Sequence, residues 1–180
     1  MSNEKHDDIS LIKACSNGDH NAFNKIYNKY AGLMYSICLR YMNSHNDAQD
    51  ALQEGFIKVF NKISSYSFSG SFEGWMKKIF IHTSIELIRK KKYHQDINNI
   101  NDSEFTKTTK IDIGDLDAKK LIDVIQELPQ GYRTVFNMYV IDGYSHKEIS
   151  KTLNISESTS KTQLFKARKQ LQIRLKGWFE

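Results

Sequence analysis

In the stretch from Tyr144 to Leu171, YSHKEISKTLNISESTSKTQLFKARKQL, hydroxylated and basic side chains gather on one face: Ser156, Ser158 and Thr159, then Lys161, Thr162, Lys166 and Lys169. Their chemistry is hydrogen-bond donation and positive charge, which suits phosphate oxygens and the acceptor edges of bases. To deliver such donors end-first into a major groove, the chain must hold them on the early turns of a helix braced by a second, short helix. The flanking residues supply both. Ser145, with Glu148 three residues on, forms a capping box for a first helix that buries Ile149 and Leu153. Asn154 stops it, Ile155 plugs the turn, and Ser156 or Ser158 caps the second helix. Leu164, Ala167, Leu171 and Leu175 then recur at helical spacing, with Phe165 widening the stripe. On spacing alone, an ordinary helical hairpin with a solvated lysine face fits as well. Charge separates the two readings, because residues 144–176 hold eight Lys or Arg against two Glu.

A second set of groups lies in SSYSFSGSFEGW, residues 64–75, with five Ser, two Gly and four aromatics. Tyr66, Phe68, Ser69, Phe72 and Trp75 sit beside a helix whose outward face carries Lys77, Lys78, His82 and Arg89 and ends in the run Lys90 to Lys92. Rings on a flexible backbone next to basic charge can stack an unpaired base, although the same rings could equally pack on a core. A third set, Asp47, Asp50, Gln53 and Glu54, lies on the outer face of DAQDALQEGFIKVFNKI. Taken alone it reads as an acidic first helical turn favoured by the helix dipole.

The elements that carry these sets are helical throughout, and the fold class is all-α. One Pro, nine Gly and long 3.6-residue periodicity leave almost no segment that alternates with period two. A short helix spans 10–18, with Ser10 as cap and Gly18 as stop. From Asn21 to Tyr41 an apolar stripe runs through Phe23, Ile26, Tyr27, Tyr30, Leu33, Met34, Ile37, Cys38 and Tyr41. The next helix, from Asp47, buries Ala48, Ala51, Leu52, Gly55, Phe56, Val59, Phe60 and Ile63. Phe72 to Lys92 turns Trp75, Ile79, Phe80, Thr83, Leu87 and Ile88 inward. Periodicity is lost over 93–114 and six acids gather across 93–118, which marks a boundary. Asp115 to Glu127 is helical, Leu128-Pro129 ends it, and a further helix from about Gly131 to Ile141 buries Val135, Phe136, Tyr139 and Val140. Asp142-Gly143 turns the chain into the helix pair.

The net charge of +5 is segregated, with basic stretches at 71–92 and 144–176. That pattern implies a polyanionic partner met at two surfaces. Cys15 and Cys38 lack metal-ligand or C-x-x-C spacing and the six His are scattered, so the sequence implies no disulfide framework, metal or cofactor. There is no apolar run near eighteen residues and no signal pattern at MSNEKHDDIS, so a soluble, cytoplasmic protein without membrane insertion is expected.

In its order of parts the chain resembles a bacterial sigma factor of the extracytoplasmic-function (ECF) type, the smallest members of the sigma-70 family, over roughly residues 20–92 and 115–176. LPQGYRTVFNMYVIDGYSHKEISKTLNISESTSKTQLFKARKQL is similar to the family's region four, DAQDALQEGFIKVF to the polymerase-binding helix of region two, and FEGWMKKIFIHTSIELIRKKK to the segment that reads and opens the minus-ten element. The resemblance implies two small helical domains, region two over 10–92 and region four over 115–178, joined by a flexible acidic linker, 93–114. It implies a dissociable initiation subunit that brings core RNA polymerase to specific promoters and helps melt them, with an anti-sigma factor as a further partner.

Through the same resemblance, Asp50, Gln53 and Glu54 become the residues that dock on the clamp helices of the polymerase largest subunit. The loop from Tyr66 to Phe72, with Trp75, Lys77, Lys78 and His82, becomes the minus-ten site that holds a flipped base. Ser156, Ser158, Thr159, Lys161, Thr162, Phe165 and Lys166 become the minus-thirty-five site. Three positions depart from the family pattern: His82 stands where many relatives have Asn, Glu86 where they have Asp, and Ser160 where the recognition helix usually has Val. Lys78-Ile79 replaces the Trp pair with which housekeeping sigma factors wedge the duplex open, and strict promoter choice is the expected result. A free-standing operator-binding regulator would account for the C-terminal half but gives the acidic helix and the basic, aromatic first half no role. An enzyme lacks support, since no His, Cys, Asp or Glu cluster has catalytic spacing and no Gly-rich phosphate loop follows a strand.

Overall fold

A computed structural model describes residues 2–98 and 116–176, with side chains over 9–91 and 121–176. Eight α-helices occur among the described residues: α1 (Ser2–Ser16), α2 (His20–Tyr41), α3 (His45–Lys62), α4 (Phe72–Asn98), α5 (Leu116–Gln126), α6 (Gln130–Phe136), α7 (His146–Leu153) and α8 (Glu157–Leu175). No strand appears among them. The chain divides into two compact units, Met1–Cys38 with Ser44–Asp112, and Leu39–Asn43 with Ile113–Glu180. Residues 99–114 of the expected linker lie outside the described residues.

The helix boundaries of the first unit follow from local chemistry. Gly18 adopts φ +82°, a conformation that closes α1 without a Cβ penalty. Asp19 Oδ1 then accepts from the Asn21 and Ala22 amides at 2.8 and 3.3 Å and opens α2. α1 begins well before Ser10, so that residue is interior to a helix rather than its cap. α3 begins at His45, two residues before the expected start at Asp47, and Ser44 caps it, accepting from the Asp47 amide at 3.1 Å. α4 runs through Asn98, six residues past the expected boundary at Lys92.

The core of this unit is aliphatic and aromatic. Ile26, Tyr30, Met34, Ile37 and Cys38 of α2 are buried as their spacing predicts, while Tyr27 and Leu33 lie at the edge of the stripe and are exposed. On α3 the buried set is Ala48, Ala51, Leu52, Gly55, Phe56 and Val59. Gly55 is required there, because a Cβ at that position would come within 2.3 Å of the Phe80 ring. On α4 the inward stripe is Phe72, Met76, Phe80, Thr83, Ser84 and Ile85, with Ile81. Trp75, Ile79, Leu87 and Ile88 are only half-buried, so the helix is turned relative to the predicted phase.

The second unit packs Val124, Ile125 and Leu128 against Ala167 and Leu171, with Tyr132, Phe136 and Leu175 around them. α6 ends at Phe136 and a π-turn follows, Asn137–Ile141, in which the Asp142 amide donates to the Asn137 carbonyl at 2.9 Å. Such a turn inserts one residue into the helical repeat and moves every later side chain by about 100°. Met138, three residues after Val135, is buried, whereas Tyr139 and Val140, expected in the core, lie within the π-turn and are exposed. Arg133 is buried at the centre of this unit, donating to the Gln126 carbonyl at 2.7 Å and to the Gln130 side chain. Burial brings its pKa down to about 10, which still leaves it charged at neutral pH.

Candidate nucleic-acid interface

α7 and α8 form the helix pair read from the sequence. Ser145 Oγ accepts from the Glu148 amide while the Glu148 carboxylate accepts from the Ser145 amide at 2.8 Å, a complete capping box. α7 stops at Asn154, which takes the left-handed conformation, φ 54°, that asparagine tolerates better than most residues. Of the two serines that could cap α8, Ser156 does so, accepting from the Thr159 amide at 3.0 Å. Its hydroxyl also lies 2.8 Å from Ser158 Oγ and 2.8 Å from Thr159 Oγ1. Three hydroxyls thus cluster at the positive end of the helix dipole, a favourable place for a phosphate.

Ser160, Leu164, Ala167 and Leu171 are the buried side of α8. Lys161, Thr162, Phe165, Lys166 and Lys169 are all exposed on the other. Phe165 is 68 % exposed, so it belongs to the outward face and does not widen the buried stripe. Lys166 Nζ lies 5.9 Å from the Tyr132 ring centroid, which restrains its long side chain without removing its charge.

The aromatic loop of the first unit divides its rings between two tasks. Tyr66 and Phe72 are buried and pack edge-on at 5.3 Å, and Trp75 stacks on Phe72 at 5.5 Å. The Tyr66 hydroxyl donates to the Gly70 carbonyl at 2.9 Å, and Ser67 and Ser69 hydroxyls meet at 3.0 Å, which closes the loop on itself. Phe68 is left at the tip, 46 % exposed, with its ring 5.1 Å from that of Tyr66 and its backbone at φ 58°. A bulky residue in the left-handed region is uncommon and is held there only by its surroundings. Of the five loop residues singled out, Phe68 and Ser69 are the exposed ones, Trp75 is half-buried, and Tyr66 and Phe72 support them from below.

On α4, Lys78 and His82 are exposed, and Lys77 is half-exposed and paired with Glu73 at 2.6 Å. Desolvation, together with Arg89, Lys62 and Lys78, outweighs Glu86 and holds the His82 ring below its ordinary pKa, so the ring is neutral at pH 7. Lys91 is engaged by Asp47 at 2.6 Å.

The acidic face of α3 leaves Asp50 and Gln53 exposed and Glu54 half-exposed, away from the buried side of the helix. Two features of this face are absent from the sequence reading. Lys58 lies 3.9 Å from Glu54 and 2.6 Å from Glu86, tying the face to α4. Ile57, 54 % exposed, places an apolar side chain three and four residues from Glu54 and Gln53. An apolar residue on an otherwise polar helical face is the signal that would have revealed it.

With this geometry in hand, known proteins offer close parallels. The family model for Sigma-70 region 2 matches residues 26–93, and that for Sigma-70, region 4 matches residues 118–171. The ECF RNA polymerase sigma factor SigW of Bacillus subtilis is 32 % identical over 178 residues, covering 92 % of this chain and 95 % of that protein. SigM of the same organism, also an ECF RNA polymerase sigma factor, is 29 % identical over 82 % of this chain and 91 % of its own. Among solved structures, the sigma factor RpoE of Bartonella quintana, in complex with the anti-sigma factor NepR, superposes with a TM-score of 0.60 at 18 % identity, covering 86 % of this chain and 96 % of that one. CnrH, in complex with the cytosolic domain of CnrY, superposes with a TM-score of 0.51 at 17 % identity, covering 93 % and 96 %. The chain belongs to the sigma-70 family and, within it, to the ECF RNA polymerase sigma factors. Its function is that of the family: it directs RNA polymerase to promoters for the initiation of transcription.

Proposed function

We propose that residues 10–92 act as region two, binding core polymerase and the minus-ten element, that 93–114 act as a linker, and that 115–178 act as region four at the minus-thirty-five element. The observation that supports this most is the separation of faces. Asp50, Gln53 and Glu54 on α3, Phe68 with Lys78 and His82 around α4, and Lys161, Thr162 and Phe165 on α8 all stand outside the cores of their units. Each stands open to a partner while the other side of its helix or loop is spent on packing.

Asp50, Gln53 and Glu54 dock on the clamp helices of the largest polymerase subunit. Phe68 stacks a base extruded from the minus-ten element, with Lys77 and Lys78 on the nearby phosphates, so that the protein assists promoter melting without chemistry of its own. On α8, Lys161, Thr162 and Phe165 meet base edges or thymine methyls, while Ser156, Ser158, Thr159 and Lys166 meet phosphates. The protein works in the cytoplasm, consistent with the finding that no helix among the described residues is long and apolar enough to cross a membrane. An anti-sigma factor is a further partner, as in the RpoE–NepR complex.

The test of the docking face is Glu54→Lys combined with Gln53→Ala. Binding to core polymerase should be abolished while melting temperature and helicity stay near the parent's, as expected of surface changes. Undiminished affinity for core would remove the assignment.

A further inference from the structure

Ser160 is fully buried on α8, at a place where a helix packed on its neighbour would ordinarily present an apolar group. Its hydroxyl has a partner: His146 Nδ1, on the first turn of α7, lies 2.8 Å away. The His146 ring in turn stacks on Tyr139 of the π-turn, with centroids 4.4 Å apart and planes 24° from parallel. The Arg168 guanidinium, again from α8, closes the row, its Cζ 5.9 Å from the Tyr139 centroid. Four side chains therefore form one column, Ser160, His146, Tyr139, Arg168, which begins and ends on α8.

The two ends are eight residues apart, about 12 Å along a helix that rises 1.5 Å per residue. Apolar packing alone is non-directional and tolerates small rotations of one helix on another. A hydrogen bond at one level and a stacked cation at a second, two turns further on, limit both the rotation of α8 about its axis and its tilt. The base-reading side chains proposed above, Lys161, Thr162 and Phe165, leave the helix between those two levels. Burial, Lys161 and Arg168 outweigh Glu157 and keep His146 below its ordinary pKa, so the ring in the column is neutral at pH 7.

We infer that His146, Tyr139 and Ser160 are positioning residues for base selection: the column they form with Arg168 sets the angle at which α8 presents its readers. This rests on the reading of α8 as the minus-thirty-five helix. The residues touch no base themselves, so their loss should alter which sequence is preferred more than how tightly DNA is held.

The experiment uses full-length protein assembled with core polymerase and a promoter library varied in the upstream element. His146→Ala, Ser160→Ala and the double variant are compared with His146→Asn, whose amide can replace the ring nitrogen. Each single alanine variant should lower discrimination between preferred and disfavoured elements by about threefold to tenfold, as coupled neighbours in one network do. The double variant should lose no more than the worse single one, His146→Asn should recover most of the preference, and the salt dependence should not change because no charge has been removed. Unaltered preferences, or losses that simply add in the double variant, would overturn the inference. Lys161→Ala and Thr162→Ala serve as the control. If they shift preferences and the column variants do not, the column alone is wrong; if neither set shifts them, α8 is not the reader and both ideas fall.

Discussion

On the proposed assignment, α8 and the loop from Tyr66 to Ser71 present their donors and rings to the same kind of partner by opposite means. On α8 the helical repeat sorts residues cleanly, with Leu164, Ala167 and Leu171 inward and Lys161, Thr162 and Phe165 outward. A reader of that sort is pre-formed and suits intact duplex. In the loop no repeat sorts the rings, and neighbours two residues apart, Tyr66 and Phe68, go to the core and to the surface. The exposed ring has a left-handed backbone and lies 5.1 Å from the buried one. Such an arrangement suits a base that must first leave its stack, because the ring waits at a fixed place and the DNA does the moving.

The sharpest way to break this comparison is to exchange the fates of the two loop rings. Tyr66→Ala removes a buried aromatic and the hydroxyl that holds Gly70. It should cost about 3 kcal/mol of stability, visible as a lowered unfolding midpoint in denaturant. Phe68→Ala should leave that midpoint almost unmoved yet slow open-complex formation on duplex promoters, by an amount equivalent to roughly 1 to 3 kcal/mol per stacked base. A pre-melted bubble should recover part of the loss. Equal effects of the two substitutions on stability would mean that the loop is only packing.

On α8 the contrast is between the proposed readers and the proposed phosphate partners. Lys161→Ala should relax preference at one or two upstream positions at a cost of about 1 to 3 kcal/mol for the preferred sequence. Lys166→Ala should weaken all sequences alike and reduce the slope of log affinity against log salt by about one. Binding across a sequence library at several salt concentrations separates the two. Coincident behaviour would erase the division between base and phosphate contacts.

The smallest expected effect is that of pH. His82 and His146 both have pKa values depressed in the folded protein, so the unfolded chain binds protons first as pH falls. Their contribution to stability is present above about pH 6.5, the ordinary histidine value, and declines below it as the unfolded state takes up protons. On the proposed minus-ten placement the sign reverses at His82 for promoter binding, because phosphates beside the ring would favour its charged form. Lowering pH from 7.5 to 6 should tighten binding to minus-ten DNA slightly in the parent and not in His82→Gln. An unchanged pH slope in that variant would place His82 away from the phosphates.

How much of this was legible in the sequence depended on how local the determinant is. Caps are set by neighbours within three residues, and Ser145 with Glu148, Asn154 and Ser156 occupy the places their chemistry predicts. The buried stripe of α3 followed equally well from its repeat. Tyr139 and Val140 were misplaced because they fall within a π-turn, which has no strong residue signature and interrupts the regular repeat on which the expectation rests. On α4 the apolar residues outnumber the inward positions, so periodicity alone could not choose Met76, Ile81 and Ile85 over Trp75, Ile79 and Leu87. The candidate site residues were assigned largely through family resemblance. The His146–Ser160 contact joins residues fourteen apart on different helices, and no local pattern announces it.

The π-turn at Asn137–Ile141 also bears on how such proteins can be recombined. A chimera that joins a foreign region-four helix pair to this chain after Asp142 inherits the extra residue from the host, and with it an outward-facing Tyr139. One joined after Phe136 takes its phase from the donor. If the donor continues as an uninterrupted α-helix, the grafted pair arrives rotated by about one residue's turn, 100°, relative to the helix that supports it. Two splice points only six residues apart therefore yield different molecules, and the later one is the junction that preserves this chain's own orientation of α8.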